Sequence, residues 1–271
     1  VGTNLGKLID LVDPGLAKSY RLESYKDRIA SNVVDDTFVI PKTEVERPSI
    51  ILDEMLSRLD KLPSHHRAVE YVKSRQIPKE RWNDLYYTKN YKELETLNPA
   101  YEGRLVADER LVIPFRREDG LLTGVTGRAM GNSSLRYATL RITDDPLVYG
   151  LDRVAKGKTI YVTEGPIDSM FLDNAIAAGG TDFNRALYNV SGENVVLIFD
   201  NQPRNKQVVK RVESFAQRGY SMIVWNSSWT YKDINDAIVS GLSSSQVEYI
   251  LNKSTFKGLA LKLAIRDWKK C

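Results

Sequence analysis

Lys158-Thr-Ile-Tyr-Val-Thr-Glu-Gly-Pro-Ile-Asp168 is an apolar, β-branched run that ends on a carboxylate and passes at once into a Gly-Pro turn and a second acid. The same arrangement returns in Asn194-Val-Val-Leu-Ile-Phe-Asp-Asn-Gln202, where Asp200 closes the run. Tyr220-Ser-Met-Ile-Val-Trp225 then leads into Lys232-Asp-Ile-Asn-Asp236. Each run has the length and composition of a buried strand. The segments between them, 166–178 closed by Gly179-Gly180 and 204–218 closed by Gly219, read as helices. Alternation of this kind predicts parallel βαβ units. Their crossovers put the strand C-termini on one edge, where an open α/β sheet carries its site.

Glu164 and Asp200, far apart in the chain, are therefore expected on one rim together with the Asp233/Asp236 pair. Carboxylates gathered there repel one another unless a cation neutralises them, and Mg²⁺ or Mn²⁺ takes oxygen ligands while keeping waters that substrate phosphates can replace. A single acid after a strand is more often a polar loop cap. Three such positions, with Gly165 and Pro166 shaping a tight strand-to-helix turn, favour a divalent-metal site.

Upstream, from Arg104, the period changes to two. Arg110–Phe115, a turn at Asp119-Gly120, Leu121–Arg128 and Leu135–Arg141 predict a hairpin within a compact antiparallel sheet. Ser49–Leu62 and Ser64–Gln76 predict two amphipathic helices, and Leu5–Ile29 two shorter ones broken at Asp13-Pro14. Residues 31–48, polar with two prolines, read as a linker. Helices are expected at Ser244–Asn252 and Ser254–Lys270. The expected organisation is a helical and linker segment over 1–48, a basic α+β subdomain over 49–150, an α/β domain with a mainly parallel sheet over 151–240, and terminal helices over 241–271.

With 271 residues, 42% of them hydrophobic, the chain can bury a full core. Its 39 basic residues against 35 acidic ones suit a polyanionic partner without requiring one. Cys271 is the single cysteine, so an internal disulfide and a cysteine-based zinc site are excluded, and the composition fits a reducing cytoplasm. No apolar run long enough for a membrane span and no signal-peptide pattern occurs. The chain starts at Val1 without a Met, so a piece of a longer protein is expected.

Glu164-Gly-Pro-Ile-Asp168, Asp200-Asn-Gln-Pro-Arg204 and Lys232-Asp-Ile-Asn-Asp236 resemble the three signatures of the Toprim domain of primases and topoisomerases. Arg110-Leu-Val-Ile-Pro-Phe115, Gly127-Arg128, Arg136-Tyr137 and Leu147–Gly150 resemble the basic subdomain that precedes Toprim in DNA primases. From about His65 to Lys270, the terminal Gly258-Leu-Ala-Leu-Lys-Leu263 included, the chain is similar to the T-even-type bacteriophage DNA primases. The resemblance implies synthesis of short RNA primers on single-stranded DNA from ribonucleoside triphosphates, by metal-assisted phosphoryl transfer. It implies Mg²⁺ or Mn²⁺ as cofactor and a replicative helicase and a single-stranded-DNA-binding protein as partners, in the cytoplasm of an infected bacterium. Zinc is expected only in an amino-terminal domain outside this chain.

On that resemblance Glu164, Asp200 and Asp233 are expected to ligate metal, with Asp168 and Asp236 as further ligands or orienters and Glu164 as a possible base. One position departs: the family turn carries a second acid where Gln202 stands, so a neutral carbonyl is expected as ligand and one ion is held more weakly. Arg110, Arg128, Arg136, Lys158 and Lys232 are expected to meet template or triphosphate phosphates, and Tyr137 to stack on a base. Trp225, Trp229 and Trp268 read as packing residues, and His65 and His66 as capping or surface residues. Leu259, Leu263 and Trp268 form an apolar stripe on a basic terminal helix that either packs on the domain or docks a partner helix. Two other readings stand beside primase: a Toprim nuclease, and a weakly catalytic nucleic-acid-binding or scaffolding module.

Overall fold

A computed structural model describes residues 48–179 and 183–271. The helices expected over 5–29, the 31–48 linker up to Arg47, and Gly180 lie outside the described residues. In chain order the elements are α1 (Pro48–Met55), β1 (Ser57–Arg58), α2 (Arg67–Ser74), β2 (Tyr86–Thr88), β3 (Arg110–Arg116), β4 (Leu122–Ala129), β5 (Tyr137–Arg141) and β6 (Val148–Tyr149). They continue with β7 (Ile160–Thr163), α3 (Pro166–Ser169), β8 (Ala175–Ala178), α4 (Phe183–Asn189), β9 (Val195–Ile198), α5 (Lys206–Gln217), β10 (Ser221–Ile223), α6 (Ile234–Val239), α7 (Ser244–Lys253), β11 (Thr255–Phe256) and α8 (Gly258–Trp268).

Strands β1 to β5 form an antiparallel sheet in sequential order. The hairpin joining β3 to β4 closes at Asp119-Gly120, with the Gly120 N–H on the Arg117 carbonyl and Gly120 at φ 83°. Alternation along β3 divides the sheet between two cores. Leu111, Ile113 and Phe115 join the larger core under the second sheet. Val112 packs with Val125, Leu140, Tyr91 and Leu94 and with Leu52 and Leu56 around α1.

The second sheet runs β11-β10-β9-β7-β8-β6. Its four central strands are parallel, and β11 and β6 close the two edges antiparallel. The mixed α/β architecture with a mainly parallel sheet is the one expected from the sequence. Pairing of Thr163 with Ile198 in the β7–β9 ladder brings the ends of these two strands level, and Glu164 and Asp200 follow from them.

Three expectations need correction. The helix over Ser49–Leu62 stops at Met55, because Ser57 and Arg58 take up the free edge of β2, opposite Tyr87 and Tyr86. The helix over 166–178 is a single turn, Pro166–Ser169, after which Ala175–Ala178 becomes an interior strand between β7 and β6. Asn174 fixes that turn-round: its side chain donates to the carbonyls of Ala155 and Thr159 and accepts from the Ala155 N–H. Helix α4 follows where no element was expected, seating Phe183 against Phe199 and Phe215. Finally, the buried stripe of α8 is Leu261, Ile265 and Trp268, while Leu259 and Leu263 are exposed.

Among the described residues no helix is long and apolar enough to cross a membrane.

Candidate active site

The turn after β7 is shaped by its own sequence. Pro166 supplies the fixed φ of a first helical residue, and Gly165 leaves room for the Asp168 carboxylate, which would stand 3.0 Å from a Cβ there. Glu164 and Asp168 thus both enter a cavity of about 340 Å³, where Asp200 and Asp233 join them. Asp233 caps α6, its Oδ1 accepting the Asp236 N–H at 2.8 Å. Four carboxylates from three loops therefore line one cavity.

Basic groups line the same cavity: Arg128 and Arg136, with Tyr137, come from the antiparallel sheet, and Arg75 from the end of α2. Arg128 is nearly buried and donates to the hydroxyls of Tyr71 and Tyr137, with its guanidinium 4.9 Å from the Tyr137 ring centroid. Lys232 bridges the acids, its Nζ 2.9 Å from Asp200 Oδ2 and 3.4 Å from Asp233 Oδ2. Burial works against the Lys232 charge, yet these carboxylates overcome it and raise the pKa.

The acids repel one another in a poorly solvated place. Burial and then the Asp200 charge push Glu164 above the usual carboxylate range. Burial, followed by Asp233, pushes Asp168 up to about 7. Arg211 approaches Glu164 to 3.5 Å. An all-oxygen donor set under mutual repulsion fits a hard divalent cation. As the side chains stand, no three His, Cys, Asp or Glu among the described residues form a group that could hold a metal ion. Lys232 supplies the compensating charge.

Several expected residues lie elsewhere. Arg110 is fully buried: its guanidinium grips Asp108 at 2.5 and 2.8 Å and donates to the carbonyls of Gly127 and Leu135. A residue so enclosed packs the basic sheet and does not meet solvent phosphates. Lys158 precedes β7, at the opposite end of that strand from Glu164 and roughly 20 Å of extended chain away. Gln202 turns its amide to Asp200 Oδ2 at 3.2 Å and accepts from Asn205, so it buttresses Asp200. Asp236 is exposed and accepts the Lys232 N–H at 3.0 Å, shaping the loop.

Other residues of the site carry no sequence signal. Arg75 donates to Asn235 Oδ1 at 3.2 Å, Asn235 donates back to the Arg75 carbonyl, and the Asn235 N–H meets Asp168 Oδ1 at 2.9 Å. This links the helical cap to the acidic loop across 160 positions. Trp225, Trp229 and Trp268 are buried, as expected of packing residues, and His66 caps α2.

No protein-family model matches the sequence. The fold is shared with the Escherichia coli primase catalytic core, at TM-score 0.60, 17% identity and coverage of 78% of this chain and 80% of that one. It is shared likewise with the RNA polymerase domain of Mycobacterium tuberculosis primase DnaG, at 0.60, 14%, 80% and 84%. The zinc-binding and RNA polymerase domains of Aquifex aeolicus primase give 0.58, 18%, 95% and 72%. The architecture is thus that of the DnaG-type primase catalytic cores. The DNA primase of Enterobacteria phage T4 is 30% identical over 271 residues, spanning 98% of this chain and 78% of that protein. The chain belongs to the DNA primase family, whose members are enzymes that make RNA primers.

Proposed function

We propose that the cavity is the primer-synthesis site, joining ribonucleoside triphosphates on a single-stranded DNA template. The observation that carries this reading is that Glu164, Asp168, Asp200 and Asp233 share the lining of one cavity with Arg75, Arg128 and Arg136. The carboxylates suit divalent cations and the arginines suit the polyanions they accompany. Glu164, Asp200 and Asp233 would hold Mg²⁺ or Mn²⁺, with Asp168 behind them. When bound, the metal supplies Lewis-acid stabilisation of charge on phosphoryl oxygens.

The chain's own groups do the remaining work. Lys232, Arg75 and Arg136 bind and orient the triphosphate, while Arg128 is held in the same lining by two phenols. Tyr137 offers a ring on which a base stacks. Glu164, with its raised pKa, is suited to take the proton of the attacking 3′-hydroxyl. Division into a basic subdomain up to about residue 150, a Toprim domain to about 240 and terminal helices belongs to the same reading. So does a replisome setting with a helicase, for which the exposed Leu259 and Leu263 of α8 offer an apolar surface.

The test is incubation with single-stranded DNA, ribonucleoside triphosphates and Mg²⁺. Wild type should release short RNA, and Glu164→Gln should lose that synthesis by at least about a thousandfold with an unchanged circular dichroism spectrum. Nicked DNA would favour the nuclease reading, and binding without turnover a scaffold. An active Glu164→Gln variant would remove that residue from the chemistry.

A further inference from the structure

Lys232 has a fixed root and an exposed, ion-paired tip. Its backbone N–H donates to Asp236 Oδ2 at 3.0 Å and its carbonyl accepts the Asn201 N–H at 2.7 Å, so the position of the residue is set by the loop. Its side chain is 52% exposed and reaches Asp200 Oδ2 at 2.9 Å and Asp233 Oδ2 at 3.4 Å. One ammonium therefore neutralises carboxylates from two loops and can leave them without breaking any packing. The Gln202 amide adds a second N–H donor to the same Asp200 oxygen, at 3.2 Å.

A divalent ion such as Mg²⁺ takes carboxylate oxygens at roughly 2.1 Å and demands near-octahedral geometry. An ammonium at hydrogen-bond distance from the same oxygens would stand beside that ion with like charge, which is unfavourable at any dielectric. Ammonium and ion exclude one another at this pair of oxygens.

We propose that Lys232 is a built-in competitor of the divalent cation: it holds the Asp200–Asp233 pair until the metal arrives, and is then released to the nucleotide phosphates. This rests on the reading of the cavity as a metal-dependent site. Its consequence is an order of events. Free metal ion alone binds weakly, and triphosphate favours metal binding by drawing Lys232 away, so the two ligands couple positively.

The experiment is direct titration of the whole chain with Mn²⁺, in the absence of nucleotide, reading free Mn²⁺ by electron paramagnetic resonance. Lys232→Met and Lys232→Gln should bind Mn²⁺ about tenfold more tightly than wild type, a modest gain because the lysine is half exposed. Lys232→Arg, which keeps the charge, should not. Asp200→Asn separates the two ideas. If it abolishes Mn²⁺ binding while wild type and Lys232→Met bind equally, the metal site stands and the competitor is overturned. If Asp200→Asn binds Mn²⁺ as wild type does, or no variant binds it, the metal reading fails and the competitor fails with it.

Discussion

Arg110 donates from Nη1 to the Gly127 carbonyl at 2.7 Å, beside a strand position where a Cβ would come within 2.7 Å of the arginine's own Cδ. Glycine at 127 leaves room for the Tyr91 ring, whose Cε2 would lie 2.5 Å from a Cβ there, and for the stem of Arg110. Asp108, itself 30% exposed, then supplies its counter-charge, and burial of the arginine is tolerable because each of its three nitrogens has an acceptor.

Arg110 and Arg136 should therefore part company under substitution. Arg110→Ala leaves two carbonyls and the partly exposed Asp108 without their partner and should cost about 1.5–3 kcal/mol of stability, seen as a lowered midpoint in urea. Arg136→Ala, at an exposed edge of the cavity, should leave the midpoint unchanged and make the salt dependence of DNA binding shallower by about one charge. A shallower slope for Arg110→Ala at full folding would return that residue to the nucleic-acid surface.

Asn201, next to Asp200, joins the acidic loop to the last helix. Its side chain donates to the carbonyls of Trp229 and Tyr231 at 3.1 Å each and accepts from Trp268 Nε1 at 2.9 Å. Asn201→Ala strands a buried indole N–H and should cost about 1–3 kcal/mol. Asn201→Asp keeps the acceptor but turns oxygen against two carbonyl oxygens, so it should destabilise more. Thermal melting of the two variants checks the order, and equal melting would show that the carbonyl contacts carry nothing.

Much of this was legible in the sequence because strand and site announce themselves together. Apolar runs ending on Glu164 and Asp200 encode both the parallel ladder and the rim. The basic hairpin was legible from Asp119-Gly120 for the same local reason. Ala175–Ala178 was not, since alanine favours helix and only tertiary pairing on both sides, with Asn174 turning the chain, makes it a strand. Arg75 was equally silent: its place in the cavity depends on Asn235, 160 positions away, and no local pattern encodes that. Arg110 misled because an arginine on a strand reads as surface charge until Asp108 and Gly127 are seen to enclose it.

Asp168 gives the last prediction. It is half-buried at the cavity, its Oδ1 held by the Asn235 N–H at 2.9 Å, and burial together with the Asp233 and Asp200 charges raises its pKa to about 7. In the unfolded chain the same group ionises near pH 4, as an ordinary aspartate does. A carboxyl whose folded pKa is raised contributes its full stability below the unfolded pKa. That contribution is lost as pH rises towards the folded value, so metal-free protein should weaken between about pH 4 and pH 7 and then level off. Asp168→Asn keeps an acceptor for the Asn235 N–H and cannot ionise. In a chelator it should match wild type near pH 4.5 and exceed it at pH 8 by an amount on the order of a few kcal/mol. The same substitution should reduce primer synthesis, as expected where a site holds charges at the expense of stability. Urea melts at the two pH values decide it: a difference that is equal at both, or a variant weaker than wild type at pH 8, would show that the carboxylate is not under electrostatic strain.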